Sequence, residues 1–168
     1  CRVTGAPWDG PREAFAGADA VVLRSTWGYY RALDDFKAWT EAIAASTRLF
    51  NSIDLVRWNL RKDYVEKLAA AGVRVPRSFV VPCEVSAIGR VFEETGWSQA
   101  VVKPASGASG HSVELLQRAT LVGQIAGLAD EARQAGVVVQ EFLPEIAEGE
   151  LSLVYFDGVF SHAIRKRP

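Results

Sequence analysis

The segment Val101–Gly110 constrains the fold of this chain more than any other stretch. An apolar, β-type run ends at Lys103, Pro104 interrupts regular strand pairing, and residues 105–110 are all Gly, Ala or Ser. Small residues let a backbone approach a ligand closely and adopt positive φ at low cost. Successive exposed N–H groups in such a loop form a concavity that binds anions. Strand-like residues resume at Ser112, so the pattern predicts a hairpin with a flexible, anion-binding loop and a lysine at its base.

A simpler interpretation of the same segment is an ordinary hairpin with a solvated lysine and a loose loop. Two well-known phosphate loops are excluded. No G-K-[ST] opens a helix here, as a Walker-type loop requires, and no G-x-G-x-x-G stands between a strand and a helix, as a Rossmann fingerprint requires. The loop by itself leaves phosphate binding and the simpler interpretation both open.

Composition places the chain among ordinary soluble globular proteins. It has 168 residues, of which 49% are hydrophobic, and a formal charge of −1. The net charge therefore does not favour binding to nucleic acid. No apolar run is long enough to span a bilayer. Cys1 and Cys83 do not form a disulfide framework, so we expect a cytoplasmic protein. Because the sequence lacks Met and ends at Pro168 directly after a strand-like run, we expect it to be part of a longer protein.

Apolar periodicity in the first third predicts a β-α-β unit. Ala18–Leu23 has the pattern of a buried parallel strand, Leu33–Ser46 that of an amphipathic helix, and Arg48–Asn51 that of a short strand. The polar and aromatic run Arg24–Tyr30 follows the first strand, where open α/β sheets bind ligands. This run is equally consistent with a substrate wall and with aromatic side chains that pack on the core.

The rest of the chain continues to alternate helical and strand patterns. Asn59 is suited to cap a helix that carries Lys62 in its first turn, and Gly72 is suited to end that helix. Further along, the pattern predicts strands at Ser78–Val81 and Val137–Pro144 and helices at Ser86–Thr95 and Thr120–Gln134. It also predicts a hairpin whose strands Glu150–Phe156 and Val159–Ile164 flank Asp157-Gly158.

The order of these motifs resembles the ATP-grasp superfamily, in its glutathione-synthetase-like branch, which includes the ligase group of cycloserine biosynthesis. The resemblance rests on the two lysine motifs and on Arg24–Trp27, Trp58-Asn59 with Lys62 and Tyr64, and Ser161–Pro168. It implies an α/β chain with the ATP-grasp fold. The implied parts are a partial, Rossmann-like region at 1–58, a lid subdomain at 59–144, and the start of the C-terminal sheet at 145–168.

The same resemblance implies a nucleotide site and an acceptor site. Lys62 and Lys103 would hold the phosphates of ATP, as expected of two ammonium groups facing a triphosphate. The residues implied to bind the rest of the nucleotide are Ser106, Gly107, Ser109 and Gly110 over the β- and γ-phosphates, Gln140, Glu141, Phe142 and Leu143 at the adenine, and Glu150 near the ribose. Arg165, with Lys166 as a possible helper, would meet the transferred phosphate or the substrate carboxylate. Arg24, Ser25, Thr26 and Trp27 would help to form the acceptor site.

Some positions depart from the family pattern. Ser152 stands where glutathione synthetases carry Arg, which argues against glutathione synthesis, and Gly28 follows Trp27 where relatives often have Asp. Family members hold Mg²⁺ on strands that would lie beyond Pro168, so no metal ligand is assigned here. Cys83 has no His nearby in sequence, as a catalytic thiol would require, and His162 lies in an alternating strand, which favours a packed or hydrogen-bonded histidine over a ligand or base.

The activity implied by the resemblance is ATP-dependent ligation of a carboxylate to an amine through an acyl phosphate. The expected partners are small-molecule carboxylate and amine substrates, with no nucleic acid and no membrane, and the protein is a possible homodimer. Two alternatives remain at this point. One is a non-catalytic ATP-binding module or an inactive fragment of such an enzyme, and the other is a structural α/β domain that binds no nucleotide.

Overall fold

A computed structural model describes residues 1–108, 110, 112–128 and 130–167. Within these residues the strands form three sheets. One is a parallel pair near the N-terminus, one is a four-stranded antiparallel sheet, and one is a two-stranded hairpin at the C-terminal end. No helix in these ranges is long and apolar enough to cross a membrane.

The N-terminal part confirms the predicted β-α-β unit. Strand β1 (Ala20–Val22) pairs in parallel with β2 (Arg48–Phe50), and helix α1 (Leu33–Ser46) connects them. The apolar face of α1 is buried together with Val21 of β1 and with two residues further along the chain. This first core comprises Val21, Phe36, Trp39, Ile43, Val56 and Leu60.

The helix predicted to carry Lys62 in its first turn is wrong in its bounds. Helix α2 (Ile53–Asn59) and helix α3 (Tyr64–Ala70) are separate, and Lys62 lies in the turn between them. Asn59 is therefore the last residue of α2 rather than the cap of the next helix. The backbone N–H of Lys62 donates to the carbonyl of Ala105, at 2.7 Å. This bond ties the turn to the small-residue loop.

The four-stranded sheet positions the loop. Its strands are β3 (Ser78–Val81), β4 (Gln99–Pro104), β5 (Glu114–Gln117) and β6 (Val137–Glu141), in the order β3-β6-β4-β5. Each neighbouring pair is antiparallel. The predicted hairpin of β4 and β5 is thus confirmed, with the small-residue loop at its tip.

Three helices accompany this sheet: α4 (Val85–Thr95), α5 (Leu121–Ala126) and α6 (Asp130–Ala135). One helix was predicted at Thr120–Gln134, but the chain forms α5 and α6 instead. α5 ends at Gly127, a residue type that is costly in a helix interior. The second core lies between these helices and the sheet, and its most deeply buried members include Ile88, Phe92, Val102, Val137 and Val139.

The predicted C-terminal hairpin is confirmed as β7 (Glu150–Phe156) and β8 (Val159–Lys166). Asp157 and Gly158 have φ of +50° and +76°, as a two-residue hairpin turn requires. All residues of β8 are exposed. Gly149 precedes the hairpin at φ +104°, and a Cβ there would lie 2.6 Å from the carbonyl oxygen of Lys166.

Candidate functional site

Lys62 and Lys103 line the same cavity, which has a volume of about 520 Å³ and is called the lysine cavity below. Lys103 reaches it from the end of β4, and Lys62 reaches it from the turn between α2 and α3. The other lining residues are Tyr29, Asn59, Tyr64, Pro104, Gly107, Ala108, Gly110 and Val113. The two cations are 41 positions apart in the sequence (103 − 62), and they lie together beside the small-residue loop.

The surroundings of both lysines disfavour the charged form of the side chain. Burial lowers the pKa of Lys62, and repulsion from the Lys103 ammonium lowers this pKa further. Burial also lowers the pKa of Lys103, although the carboxylate of Glu150 acts in the opposite direction. Desolvation disfavours the charged form of a lysine, and a nearby anion favours it. The lysine cavity is therefore a place where an incoming polyanion would stabilise two partly desolvated cations.

The loop is bound to Lys62 at two points. In addition to the backbone bond to Ala105, the Lys62 Nζ donates to the carbonyl of Gly107, at 2.5 Å. The N–H of Ala105 in turn donates to the carbonyl of Gly136, at 2.9 Å. The base of the loop is thus held from both sides.

Lys103 is held by a chain of side-chain hydrogen bonds. Its Nζ donates to Gln140 Oε1 at 2.9 Å, and Gln140 Nε2 donates to Ser78 Oγ at 2.7 Å. The hydroxyl of Ser78 donates to the carbonyl of Pro76, also at 2.7 Å. The amide of Gln140 is therefore oriented with its oxygen toward the lysine, and three strands, β3, β6 and β4, contribute to the position of one ammonium group.

Two family models match this chain. One, described as the ATP-grasp domain of prokaryotic glutathione synthetase, matches residues 66–168. The chain belongs to this ATP-grasp family. The other, described as the N-terminal domain of D-cycloserine synthetase DcsG, matches residues 1–51. Lys103, the loop between β4 and β5, and the strand β6 lie within the range matched by the ATP-grasp model, whereas Lys62 lies between the two matched ranges.

Individual relatives agree with the ATP-grasp assignment. Over 177 aligned residues the chain is 32% identical to the cycloserine biosynthesis protein DcsG of Streptomyces lavendulae, covering 99% of this chain and 59% of the relative. The crystal structure of D-cycloserine synthetase DcsG aligns with a TM-score of 0.85 and 30% identity, covering 95% of this chain and 56% of that one. The ATP-grasp ligase PsnB, complexed with a minimal precursor, Mg and ADP, aligns with a TM-score of 0.53 and 23% identity over 88% of this chain and 52% of that one, which is a likeness of fold. The ATP-grasp chain thus spans less than two thirds of the length of DcsG.

The residues implied to read adenine occupy the end of β6 and the segment after it. Gln140 faces Lys103, as described above. Glu141 is hydrogen-bonded to the backbone of Arg77. The Glu141 carboxylate accepts from the backbone N–H of Arg77 at 3.0 Å, and the backbone N–H of Glu141 donates to the Arg77 carbonyl at 2.9 Å. Phe142 is partly buried and Leu143 is 39% exposed. One oxygen of the Glu141 carboxylate therefore has a structural partner in this ATP-grasp chain.

The predicted loop residues divide between two sides of the loop. Gly107 and Gly110 line the lysine cavity, whereas Ser106 lines another cavity, of about 360 Å³, together with Arg61 and Tyr30. Ser106 is 2% exposed, and its hydroxyl is buried without a hydrogen-bond partner among the described residues. Ser109 lies outside the described residues.

The predicted acceptor and phosphate residues are more dispersed. Trp27 lines a third cavity, of about 590 Å³, which we call the tryptophan cavity. Arg24 is exposed, Thr26 is partly buried, and Ser25 has φ of +52° with its carbonyl accepting from the N–H of Trp27 at 2.8 Å. These three residues are not among the described residues that line the tryptophan cavity.

The C-terminal residues of the prediction lie on the hairpin. Arg165 is exposed on β8 opposite Leu151, and it is not among the described residues that line the lysine cavity. Lys166 lies 3.8 Å from the Glu150 carboxylate. Glu150 affects the pKa of Lys103, so the hairpin begins close to the lysine cavity.

Three lining residues of the lysine cavity with polar side chains were missed as site residues: Tyr29, Asn59 and Tyr64. Burial raises the pKa of the Tyr29 hydroxyl, and the neighbouring Tyr64 and Tyr30 raise it further. The Tyr64 ring lies against Trp58, with 4.8 Å between their centroids. A signal was present, because Asn59 and Tyr64 lie in segments that the resemblance used and Tyr29 lies in the aromatic run after β1. Tyrosine and asparagine carry no charge that could be matched to a phosphate, so these residues were not assigned to the site.

Proposed function

We propose that this chain provides the nucleotide-binding part of an ATP-dependent ligase that joins a carboxylate to an amine through an acyl phosphate. The observation that carries the proposal is the convergence of Lys62 and Lys103, both partly desolvated, on one cavity beside a small-residue loop. Family membership and the similarity to DcsG support it. The substrates proposed are ATP, a small-molecule carboxylate and an amine, in a cytoplasmic enzyme that is a possible homodimer.

The reaction places definite demands on the site. A carboxylate oxygen attacks the γ-phosphorus of ATP, the bond to the β-phosphate oxygen breaks, and ADP leaves. The amine then attacks the acyl carbon of the acyl phosphate, and inorganic phosphate leaves with loss of a proton from nitrogen. Phosphoryl transfer of this kind depends on positioning and on neutralisation of charge. On this proposal Lys62 and Lys103 would supply the neutralisation, and N–H groups of the loop would assist them.

The remaining roles follow the family pattern. Glu150 would lie near the ribose, and the backbone around Phe142 and Leu143 would meet the adenine. Arg165 would stabilise the transferred phosphate, and the segment Arg24–Trp27 would contribute to the acceptor site. Each of these roles stays a prediction.

Mg²⁺ is the metal that family membership implies. Among the described residues there is no group of three or more His, Cys, Asp or Glu side chains that could hold a metal ion. The described residues therefore do not provide a complete magnesium site, and no step is assigned through the metal. The alternative function is a module that binds nucleotide without ligating.

A thermal unfolding experiment tests nucleotide binding. Lys103→Ala should abolish the stabilisation that Mg-ATP gives to the wild type, because a ligand that binds only the folded state raises its stability by about 2.7 kcal/mol at a hundred times Kd. Lys67→Ala, on the exposed side of α3, is the matched control and should keep the full shift. An unchanged shift in Lys103→Ala would refute the phosphate role of this lysine.

Activity separates the ligase from the module. Release of ADP and phosphate is measured with a panel of carboxylates and amines, alone and in pairs. Release that requires both a carboxylate and an amine supports ligation. Tight ATP binding with no release for any pair supports the non-catalytic module.

A further inference from the structure

The tryptophan cavity is a second pocket of ligand size, separate from the lysine cavity. Its volume of about 590 Å³ falls within the range of roughly 300–1,000 Å³ typical of small-molecule sites. Two of its lining residues, Trp27 and Gly28, lie shortly after the carboxyl end of β1. This is the end of a strand at which open α/β sheets bind ligands. The two cavities share no lining residue.

Three of the five tryptophans of the chain, Trp8, Trp27 and Trp39, line this cavity. Trp39 is 5% exposed and stacks on Phe36, with 5.8 Å between centroids, and Trp8 packs edge-on against Phe36 at 5.1 Å. These two rings are therefore fixed by the first core. Trp27, by contrast, is 69% exposed. A planar group that entered the cavity would cover the Trp27 ring. The rings of Trp8 and Trp39 would lose little conformational entropy, because they are already fixed.

Charges of both signs line the cavity, and none is neutralised within it. Arg12 and Arg31 lie in its wall together with Asp9 and Asp35. In the part of the chain that the structure describes, none of the four takes part in an ion pair. Guanidinium groups bind carboxylates well, often through two parallel hydrogen bonds. Free carboxylates are suited to an ammonium group, so the wall is complementary to a molecule that carries both charges.

We propose that the tryptophan cavity binds a small zwitterion with a planar body, and the chemical class that combines these features is the aromatic α-amino acid. Its carboxylate pairs with Arg12 and Arg31, its ammonium group faces Asp9 and Asp35, and its ring lies against Trp27. The site is additional to the proposed nucleotide site and does not depend on it.

Three matched ligands test the proposal through the intrinsic fluorescence of the lining tryptophans. Phenylalanine carries both charges, 3-phenylpropionate lacks the ammonium group, and 2-phenylethylamine lacks the carboxylate. Phenylalanine should give a saturable change at millimolar concentration or below, and each analogue should bind at least about tenfold more weakly for want of one charged pair. Equal affinity for all three ligands, or no saturable change with phenylalanine, would overturn the proposal.

Variants locate the binding. Arg12→Gln and Arg31→Gln should each reduce the affinity for phenylalanine about tenfold, whereas Arg90→Gln, on the exposed side of α4, should leave it unchanged. All three positions are exposed, so folding is checked simply by the thermal midpoint. Lys103→Ala should retain phenylalanine binding even where it loses ATP, which keeps the two proposals distinguishable. Wild-type affinity in both Arg12→Gln and Arg31→Gln would place the ligand elsewhere.

Discussion

At the scale of the residue, the position of Lys103 depends on two uncharged neighbours. Gln140 accepts the hydrogen bond from its ammonium group, and Ser78 accepts from the amide of Gln140. If this amide rotated by half a turn, it would present its NH₂ group to a cation, which is unfavourable. Ser78 prevents this because its hydroxyl proton is already donated to the carbonyl of Pro76.

Removing either neighbour should weaken nucleotide binding. Gln140→Leu removes the acceptor of Lys103. The lost hydrogen bond of about 0.5–1.5 kcal/mol corresponds to a loss of ATP affinity of about twofold to twelvefold, which calorimetry measures. Ser78→Ala should have a smaller effect in the same direction, and Ser78→Thr should restore affinity. Ser86→Ala, an exposed serine of α4, is the control. ATP affinity that is unchanged in Gln140→Leu would exclude this role.

The sequence predicted the lysines better than the residues around them. Lys62 and Lys103 were paired by family order, and they do line one cavity. Ser106 was grouped with the phosphate loop because it is small and polar, but it lines another cavity. In a run of Gly, Ala and Ser, the spacing carries no periodicity that would indicate which way each side chain points.

At the scale of the element, Gly136 is the joint between α6 and β6. It has φ of +78°, and a Cβ at this position would lie 2.9 Å from the carbonyl oxygen of Val81. Its own carbonyl accepts the hydrogen bond from Ala105 at the base of the loop. The turn into β6 and the anchoring of the loop therefore depend on the same glycine.

A pair of alanine substitutions tests this joint. Gly136→Ala should lower the free energy of unfolding by about 2 kcal/mol, since the left-handed conformation alone costs roughly 1–2 kcal/mol for a residue with a Cβ. Gly123→Ala, in the exposed part of α5, should instead raise it by about 0.5–1 kcal/mol, because a Cβ there meets no atom within 4 Å. Chemical denaturation measures both. Equal stability of the two variants would show that the joint tolerates a side chain.

The elements themselves were largely predictable. Helix α1 has the predicted bounds, and both hairpins form where the sequence placed them. The errors lie at helix ends. The apolar positions of Leu121, Ile125 and Leu128 keep helical spacing across Gly127, so periodicity did not reveal that the chain divides there. Similarly, the turn after α2 is bound to the loop by the N–H of Lys62, which donates to the carbonyl of Ala105, and the local sequence pattern does not contain this long-range contact.

At the scale of the whole molecule, the lysine cavity draws on both halves of the chain. Tyr29 and Asn59 come from the segments that surround the first core, whereas Lys103 and the loop extend from the sheet that covers the second. The order of motifs predicted this ATP-grasp arrangement. The three regions predicted from sequence, 1–58, 59–144 and 145–168, stay predictions.

The charge of this shared cavity predicts a pH dependence. Both lysines have a pKa below the ordinary value of 10.5, and a bound triphosphate favours their protonated forms, so it raises both pKa values. ATP affinity is therefore complete below the lowered pKa values and falls as pH rises through them. Calorimetry in buffers of different ionisation enthalpy should show more proton uptake on binding at about pH 9 than at about pH 7. The same uptake in Lys103→Arg, which stays protonated, would contradict the assignment.

The bond between Lys62 and Gly107 has a consequence for how the site fills. An ammonium group has three N–H donors, and one donor of Lys62 is bound to the carbonyl of Gly107. The other two can bind a phosphate oxygen without loss of that contact, and a charged oxygen makes the stronger bond. A single side chain can therefore bind the phosphate and the loop at the same time, which aligns the covering segment with the ligand beneath it.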